Sequence, residues 1–379
     1  MYDCVIVGAG PAGSTAAYHL AKQGHSVLLL DKAPLGRYKA CSGAVSPTIA
    51  QWFDFDLTPA IDRSVRRVRY TWKLEDEICS ALTTPDPLWV LDREVFDRFL
   101  VQQVQALGAA VKAETPVTGI ERVGDRWQVH TPQATFEAQY LVAADGAEGP
   151  TAGWLGFKPH KARPAAVLEI TTDRPMDEDS ALNFEFGLVK NACLWGVPKR
   201  QGYTLGAVLF VGNNVQDLQP GLEAYAVGLG LGGHGQTFHT HPLQLWDGDR
   251  PLHCERALLV GEAAALVDPM SVEGIRPGIF SGVKAAAAIH SALAGNAEAL
   301  PQYTQTLQIE WGTDMQWAQR IASIFFRVPG LGYRVGVKRP SATERLGQIL
   351  AGEVRYRDIA NRVLKRLSTG FMSGRNSPL

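Results

Sequence analysis

The strongest constraint on the fold lies in the first 32 of the 379 residues. A short apolar run predicts a buried strand, and Gly8, Gly10 and Gly13 follow it in the pattern GxGxxG. Helix-forming residues then occupy 14–22, and a second apolar run ends in Asp31. In such a βαβ unit the glycines let a pyrophosphate approach the helix N-terminus, and the acid binds a ribose. The segment therefore predicts a dinucleotide site of Rossmann type.

Later parts of the chain return to the same kind of motif. Residues 141–147, LVAADGA, form an apolar run that ends in Asp-Gly, and residues 257–260 form another that leads into GEAAALVDPMSVEGI at 261–275. A chain that reaches one nucleotide site from three distant places spreads the ligand over much of its length. This arrangement indicates FAD.

Composition and charge exclude several classes of protein. With 46% apolar residues and a net charge of −1, the chain is expected to be globular, without a general attraction to nucleic acid. Five scattered cysteines without a CxxC pair argue against a disulfide framework, a zinc site and a redox dithiol. No apolar stretch approaches the length of a bilayer span, so we expect a cytoplasmic protein.

Several motifs together resemble one known family. The sequence is similar to the geranylgeranyl reductase family, within the flavoproteins of the p-hydroxybenzoate hydroxylase fold. The resemblance runs nearly end to end and depends on GAGPAG at 8–13, RYKACSGAVSP at 37–47, LDREVFDRFL at 91–100, AADG at 143–146, LWGVPKR at 194–200, the stretch at 261–275, and FRVPGLGYRVGVKRPSATERLGQILAGEVRYRDIANR at 326–362.

The resemblance implies an α/β fold with three parts. A discontinuous, Rossmann-type FAD-binding domain is expected at 1–56, 92–158 and 249–300. A substrate domain built on an antiparallel sheet is expected at 57–91 and 159–248, where alternating patterns such as VRRVRYTW and LNFEFGLV predict strands. Residues 301–379 are expected to be mostly helical.

A set of cofactor-binding residues is also implied by the resemblance. Glu262 stands where the family carries an Asp that accepts a hydrogen bond from the ribityl chain of FAD, so the contact needs a new geometry here. An alternative is that Glu262 serves only as a charge at a helix N-terminus. The wider class also has an arginine shortly after Asp145, and AADGAEGPTAGW lacks it. The full set is Gly8, Gly10, Pro11, Ala12, Gly13, Asp31, Lys32, Lys39, Cys41, Arg93, Asp145, Glu262, Gly274 and Ile275.

The segment RYKACSGAV corresponds to the part of the family that passes beside the flavin. Arg37, Lys39 and Cys41 are therefore candidates for the rim of the active site, with Cys41 as the catalytic candidate. The alternative for Cys41 is a buried small side chain. Arg93, which opens a family pattern at a helix start, is expected to reach FAD, whereas its alternative is a surface charge.

The substrate cavity is implied at the strand LWGVPKR. The expected pocket residues are Cys193, Trp195, Val197, Pro198 and Lys199; Cys193 and Val197 replace a Tyr and a Phe of the family, so the cavity should be wider. The alternative for Trp195 is a core aromatic residue.

A cluster of histidines in GGHGQTFHTHP invites a metal-site interpretation. His234, His239 and His241 lack the spacing of a metal site, and we expect solvated loop histidines instead.

The implied activity is the reduction of prenyl carbon–carbon double bonds by a hydride from reduced flavin. No second GxGxxG follows a strand, so NADPH or another external reductant is expected to bind transiently. One alternative is a flavin monooxygenase or halogenase of the same fold, because residues 195–198 resemble the halogenase pattern Trp-x-Ile-Pro. A second alternative, motivated by Glu262, Cys193 and Val197, is a degenerate member that binds FAD or a lipid without turnover.

The C-terminal part of the chain is strongly basic. Glu344, Glu353 and Asp358 are its acids from residue 320 onward. Apolar residues such as Ile324, Phe325, Leu331, Tyr333, Leu346, Ile349 and Leu350 lie between the bases, which predicts peripheral contact with an anionic membrane. The alternative is that the apolar residues pack inward and the bases are solvated. The bases are Arg320, Arg327, Arg334, Lys338, Arg339, Arg345, Arg355, Arg357, Arg362, Lys365, Arg366 and Arg375.

Overall fold

The computed structural model describes residues 1–172, 177, 179–212, 218–233 and 235–360. Some residues used in the interpretations above lie outside these described residues: His234, Arg362, Lys365, Arg366 and Arg375.

The strands belong to three sheets. In chain order they are β1 (Tyr2–Val7), β2 (Val27–Leu30), β3 (Ala44–Val45), β4 (Ile61–Val65), β5 (Arg67–Trp72), β6 (Glu75–Ala81), β7 (Leu88–Leu91), β8 (Ala110–Lys112), β9 (Gly119–Val123), β10 (Arg126–His130), β11 (Thr135–Ala143), β12 (Arg163–Thr171), β13 (Leu182–Phe186), β14 (Ala192–Lys199), β15 (Gly202–Leu209), β16 (Gly235–Leu243), β17 (His253–Cys254) and β18 (Ala257–Leu259).

The helices flank both large sheets and dominate the C-terminal part. They are α1 (Pro11–Lys22), α2 (Arg93–Ala106), α3 (Thr151–Trp154), α4 (Leu218–Gly228), α5 (Ile275–Leu293), α6 (Ala299–Leu307), α7 (Thr313–Phe325), α8 (Pro329–Gly336) and α9 (Pro340–Leu350). Short 3-10 helices occupy Pro47–Trp52, Thr58–Ala60 and Gly261–Ala264, and a π-helical turn at Gln308–Gly312 joins α6 to α7.

The first sheet contains the predicted βαβ unit. Its order is β17-β18-β11-β1-β2-β8, and β9 and β10 extend it beside β11. β1 pairs in parallel with both β2 and β11, and β11 pairs in parallel with β18. The helix of the unit begins at Pro11, before the predicted residue 14, because proline at the first helical position loses no hydrogen bond.

The second sheet has the order β16-β12-β15-β14-β13-β5-β6 and is antiparallel except where β13 pairs with β5. The small third sheet has the order β3-β7-β4, and its strands come from residues 44–91. The predicted α/β class, with a Rossmann-type part, a largely antiparallel sheet and a helical C-terminal region, is confirmed. The domain limits stay a prediction.

The prediction that His239 and His241 lie in a solvated loop is wrong. Both belong to β16, where His239 pairs with Val167 and His241 with Ala165. His241 is buried. The alternation of side chains along residues 236–243 gives a strand, and one face of that strand turns its histidines toward the interior. The described residues contain no group of three or more side chains placed to hold a metal ion.

The apolar residues of the C-terminal helices differ in how deeply they are buried. Phe325, Tyr333 and Ile349 are buried, Leu346 and Leu350 are half-buried, and Ile324 and Leu331 are exposed. The inward-packing alternative therefore holds for most of the apolar residues in the predicted basic segment. In the part of the chain that the structure describes, no helix has both the length and the hydropathy needed to cross a bilayer.

Helices α1 and α5 pack with their backbones in close approach. A Cβ on Gly282 would lie 2.5 Å from the carbonyl oxygen of Ala12 and 3.0 Å from the Cβ of Thr15. Because backbone atoms cannot give way as a flexible side chain can, only glycine allows this separation. The contact holds α1, and with it the start of the βαβ unit, against the segment that follows β18.

We expect Gly282→Ala to lower the free energy of unfolding by about 1–3 kcal/mol through overpacking. Urea unfolding measures the change. The matched control is Gly153→Ala in α3, where a Cβ would meet no atom within 4 Å. Equal stability of the two variants would contradict the close approach.

Candidate active site

One large cleft lies where the first sheet meets the second. It encloses about 1480 Å³, part of it open to solvent. All three chain segments that the sequence assigned to one site contribute to its lining, together with β12 and β14. The predicted site residues in the lining are Gly8, Gly10, Pro11, Ala12, Asp31, Lys32, Lys39, Cys41, Arg93, Asp145, Trp195, Glu262, Gly274 and Ile275.

The N-terminus of α1 opens onto this cleft. Gly10 is the N-cap residue, and no side chain caps the first turn. First-turn amides of a helix lack backbone acceptors, so they are available to an anion. Gly8 has a φ of +107°, and a Cβ on it would lie 2.3 Å from the carbonyl oxygen of Ala144. A Cβ on Gly13 would lie 2.0 Å from the carbonyl oxygen of Gly8. The glycine pattern thus builds an uncapped helix end that suits a pyrophosphate.

Asp31 follows β2 and is held firmly at the side of the cleft. Its Oδ2 accepts a hydrogen bond of 2.8 Å from the Ala9 amide, and its Oδ1 accepts one of 2.9 Å from the Ala33 amide. Arg37 Nη2 lies 3.6 Å from Oδ2. An ionised carboxylate has about four acceptor positions, so these contacts orient Asp31 and leave capacity for a ligand hydroxyl.

Asp145 has one satisfied oxygen and one unsatisfied oxygen. Its Oδ2 accepts hydrogen bonds from the Thr151 amide at 3.0 Å and the Thr151 hydroxyl at 2.6 Å. Its Oδ1 is buried and has no hydrogen-bond partner within the described residues. Burial raises the pKa of Asp145, and the hydrogen bonds from Thr151 oppose the shift. A buried acceptor without a partner in a cleft lining is well suited to a donor from a bound ligand.

Glu262 makes two contacts across the cleft that the sequence did not reveal. Its Oε1 accepts a hydrogen bond of 3.3 Å from the Gln244 amide, and its Oε2 lies 3.5 Å from His241 Nε2. His241 also lines the cleft. The longer side chain of Glu262 therefore reaches β16, and the acid joins the two sheets at this point. The alternation in TFHTHPL was the signal that could have placed His241 on an inward face.

The segment that carries Lys39 and Cys41 lies beside the start of α2. Arg93 Nε donates a hydrogen bond of 2.8 Å to Asp97 Oδ1, and Arg93 Nη2 donates one of 2.8 Å to Asp97 Oδ2. The guanidinium is therefore held in a bidentate pair. Cys41 lies close enough to the Arg93 guanidinium to influence it. Cys41 Sγ accepts a hydrogen bond of 3.4 Å from the Gly43 amide. Arg93 and Cys41 thus share one wall of the cleft.

Lys39 is a half-buried cation in the same wall. Among the described residues it has no hydrogen bond or ion pair, although Glu262 lies close enough to influence it. Burial lowers the pKa of the Lys39 ammonium, Glu262 opposes the shift, and Arg93 and Arg37 reinforce it. A cation without a direct counterion in the lining favours a negatively charged ligand group nearby.

A second, apolar cavity adjoins the cleft at Trp195. We call it the side chamber; it spans about 510 Å³, part of it open to solvent. Trp195, Ser42 and Val272 line both the cleft and the side chamber, and the indole Nε1 of Trp195 is buried without a hydrogen-bond partner in the described part of the chain. The full lining is Ser42, Ala44, Val45, Leu88, Leu182, Phe184, Trp195, Val197, Ser271, Val272, Glu273 and Leu350.

Glu273 is the acid in the side chamber, and Arg276 pairs with it. Arg276 Nη2 donates a hydrogen bond of 2.8 Å to the carboxylate. Burial raises the pKa of Glu273, and Arg276 opposes the shift. Arg276 also lies over the ring of Trp311, 5.5 Å from its centroid. The chamber is therefore apolar along most of its wall, with a neutralised ion pair at one side.

The structure does not bring every predicted pocket residue to a cavity. Val197 and Trp195 line the side chamber, whereas Cys193, Pro198 and Lys199 are absent from both linings. Cys193 is buried, and burial raises the pKa of its thiol. Lys199 Nζ lies 3.4 Å from Glu169 Oε2.

Sequence reasoning also missed much of the lining. These residues carry no recognisable motif, so a single sequence gives no signal for them. They include Thr115, Pro116, Val117, Ala165, Ala166, Val167 and most of the side chamber.

Comparisons with known proteins agree with this geometry. The sequence profile described as FAD dependent oxidoreductase matches residues 3–79 and 60–262. The chain belongs to this family. It is therefore an FAD-dependent oxidoreductase, as the resemblance implied. Digeranylgeranylglycerophospholipid reductase 1 of Methanothermobacter thermautotrophicus is 29% identical to it over 323 residues, which cover 76% of this chain and 77% of that protein.

Solved structures show the same fold in this FAD-dependent oxidoreductase. A geranylgeranyl bacteriochlorophyll reductase-like protein from Thermoplasma acidophilum has a TM-score of 0.78 at 22% identity, with 93% of this chain and 92% of that chain covered. A flavin-dependent brominase has a TM-score of 0.71 at 17% identity, with 96% and 99% covered. At these identities the similarity concerns the fold alone.

The unsatisfied oxygen of Asp145 predicts a stability effect that depends on pH. Because burial raises the pKa of Asp145, the folded protein binds this proton more tightly than the unfolded chain, so the contribution of this group to stability falls as pH rises. We expect Asp145→Asn to stabilise the flavin-free protein by about 1 kcal/mol at pH 7. The gain should shrink as pH falls from the folded pKa toward the unfolded value of about 3.9.

Thermal unfolding of the flavin-free protein at several pH values measures this effect. The control is Asp125→Asn, which removes an exposed carboxylate beside Arg126. A gain that is independent of pH, or one that the control reproduces, would contradict the proposed burial cost.

Proposed function

We propose that this protein reduces carbon–carbon double bonds of a prenylated lipid of the geranylgeranyl type, with FAD as its cofactor. The observation that carries the proposal is the apolar side chamber joined to the cleft at Trp195. The named relative supports it, because digeranylgeranylglycerophospholipid reductase acts on a lipid with such chains.

The cleft residues hold FAD along its length in this proposal. The uncapped N-terminus of α1, with Gly8, Gly10, Pro11, Ala12 and Gly13 at its start, binds the pyrophosphate, and Asp31 binds a ribose hydroxyl. Bound FAD in its reduced form supplies the hydride for one alkene carbon.

The remaining assigned cofactor contacts lie on the other cleft walls. Asp145 and Glu262 would accept hydrogen bonds from FAD hydroxyl groups, and Arg93 and Lys39 would supply positive charge beside them. Cys41 borders FAD next to Arg93. The last members of the assigned set supply rim and backbone contacts: Lys32, Gly274 and Ile275.

The substrate chain lies in the side chamber, with the reacting double bond at the junction beside Trp195. Unactivated alkenes need tight positioning and a dry site, and an apolar chamber provides both. Val197 lines this chamber, and Cys193 is buried in the same strand. The small side chain of Val197 leaves room that an aromatic residue would fill, so the chamber accommodates a thick or branched chain, whereas Cys193 lies outside the lining. Pro198 and Lys199 lie at the end of the same strand, outside both linings.

Cys41 is the proposed catalytic residue. It lines the cleft directly before Ser42, which lines both cavities. The second alkene carbon needs a proton to complete the reduction, and a thiol can deliver one and regain it from solvent. Because the sequence has no second GxGxxG after a strand, an external reductant such as NADPH would bind only transiently to reduce the flavin.

A substrate of this kind is held in bilayers. In this proposal the enzyme works from the cytoplasm and reaches its substrate at a membrane surface.

The decisive experiment is anaerobic reoxidation of the reduced holoenzyme. The FAD-loaded protein is reduced with dithionite, and detergent-dispersed digeranylgeranylglycerophospholipid is added without oxygen. We expect the flavin absorbance to return and the lipid to gain two hydrogen atoms per turnover. A saturated lipid serves as the control and should leave the flavin reduced.

Other outcomes identify the alternatives. Product that forms only after oxygen is admitted indicates a monooxygenase or, with halide, a halogenase, which the fold shared with the brominase keeps relevant. A flavin that stays reduced with the unsaturated lipid and reacts unproductively with oxygen indicates a degenerate member without turnover. Either result would overturn the proposed reductase activity.

The size of the side chamber predicts a specificity effect. We expect Val197→Phe to lower kcat/KM for the full-length prenyl lipid at least tenfold, because the ring occupies space beside Trp195. A substrate with one isoprene unit should be affected less. Val197→Ala, which enlarges the chamber, should retain long-chain turnover. FAD content and melting temperature of both variants verify that they fold. The same loss on short and long substrates would place the prenyl chain elsewhere.

A further inference from the structure

The C-terminal helices carry an exposed apolar strip. Ile324 at the end of α7 is 69% exposed, Val328 at the N-cap of α8 is 52% exposed, and Leu331 and Val335 within α8 are 60% and 46% exposed. Val328, Leu331 and Val335 are spaced three and four residues apart, so they share one face of α8. Isolated exposed apolar residues are ordinary, but four in one short segment form a patch.

The opposite side of α8 is packed. Tyr333 and Val337 are buried, and the Tyr333 hydroxyl donates a hydrogen bond of 2.5 Å to the carbonyl oxygen of Asp76. A Cβ on Gly332 would lie 2.8 Å from the Phe325 ring. The helix is thus anchored by one face, and the exposure of Leu331 and Val335 does not arise from loose packing.

Positive charge surrounds the apolar strip. Residues 315–343 contain no acid, and Arg320, Arg327, Arg334 and Arg339 are exposed there. Arg327, Arg334 and Arg339 make no side-chain hydrogen bond or ion pair with the described residues. Arg320 lies over the ring of Trp317, 4.9 Å from its centroid. Lys338 differs, because it pairs with Asp76.

We propose that these residues form a docking face for an anionic lipid bilayer. The docking face consists of Ile324, Val328, Leu331, Val335, Arg320, Arg327, Arg334 and Arg339. Aliphatic side chains enter the headgroup region while flanking arginines contact lipid phosphates, a combination that interfacial helices use. Charge complementarity therefore selects an anionic surface.

Like charge disfavours two other occupants. Residues 361–379 contain Arg362, Lys365, Arg366 and Arg375 and no acid, so their charge has the same sign as that of the docking face. A second copy that docked through the same face would bring like charges together in the same way. An acidic protein partner stays as an alternative that the experiment must separate.

The docking face lies over the substrate side of the molecule. Phe325, Tyr333 and Val337, on the buried side of α7 and α8, belong to the core cluster that also contains the side-chamber residues Leu88, Leu182 and Val197. Leu350 of α9 lines the chamber itself. The buried side of these helices and part of the chamber wall therefore belong to the same packed core. The connection between the docking face and the substrate rests on the proposed function, whereas the docking face itself does not.

The test is flotation of the FAD-loaded full-length protein with phosphatidylcholine vesicles, with and without phosphatidylglycerol. We expect the protein to float with the anionic vesicles at low salt and to be released at raised salt. Arg327→Gln/Arg334→Gln/Arg339→Gln should lower the partition coefficient roughly a hundredfold, since each base near an anionic surface contributes about fivefold. Ile324→Ser/Leu331→Ser/Val335→Ser should lower the partition coefficient at least tenfold and leave its salt dependence unchanged.

Matched variants elsewhere control for total charge and total apolar exposure. Lys158→Gln/Lys161→Gln/Lys190→Gln removes three exposed charges outside the docking face. Val123→Ser/Val211→Ser/Val227→Ser removes three exposed aliphatic side chains. Both variants should float as the unaltered protein does. Equal loss in these controls, or equal binding to neutral vesicles, would overturn the proposal.

Two further measurements separate the remaining outcomes. Failure to float, together with arginine-dependent binding to soluble polyglutamate, would indicate an acidic protein partner and overturn the lipid assignment. Reoxidation of reduced flavin by detergent-dispersed lipid does not require docking, so the arginine variant should keep it and lose activity only on vesicle-embedded lipid. Loss of activity in detergent as well would mean that the arginines affect the reductase site rather than membrane contact.

Discussion

The structure depends on close approach of backbones around the N-terminus of α1. A Cβ on Gly8 would lie 2.3 Å from the carbonyl oxygen of Ala144, and one on Gly282 would lie 2.5 Å from that of Ala12. A Cβ on Gly261 would lie 2.8 Å from the Ala12 Cβ. Three distant parts of the chain therefore meet at the first turn of one helix, and glycine is the residue that permits each contact. This contact leaves the helix end uncapped and open to the cleft, so packing and anion binding have a common origin.

The second sheet converts this nucleotide cleft into a two-chambered site. Glu262 follows β18 of the first sheet, and its carboxylate contacts His241 in β16 and the amide of Gln244 just after β16. This link crosses the space between the two sheets. Trp195 separates the cleft from the side chamber and contributes to both linings. A polar cleft and an apolar chamber are thus placed side by side. That arrangement suits a reaction between a polar cofactor and a chain with few polar atoms.

The site also contains polar groups that lower the stability of the empty protein. Asp145 buries an oxygen without a partner, and Lys39 is half-buried without a counterion in direct contact. Groups of this kind are costly until a ligand satisfies them, so binding of the cofactor and folding are expected to be coupled. The same cleft collects four cationic side chains, Lys32, Arg37, Lys39 and Arg93, against the acids Asp31, Asp145 and Glu262.

The sequence alone determined the βαβ unit, the α/β class and the cofactor class, because these depend on local glycine spacing and on apolar runs, but it gave only part of the cleft lining. The role of His241 was predicted wrongly, since a histidine in a short alternating strand shows its partner only when β16 pairs with β12. The side chamber depends on β3, β7, β13, β14 and α9 together, and no local pattern encodes such a meeting. Likewise, the basic segment was visible in the sequence, but only packing separated buried Phe325 and Tyr333 from exposed Ile324 and Leu331. Neighbouring residues determine strands, turns and the glycine motif, whereas cavities and exposed faces arise from contacts between residues that are distant in sequence.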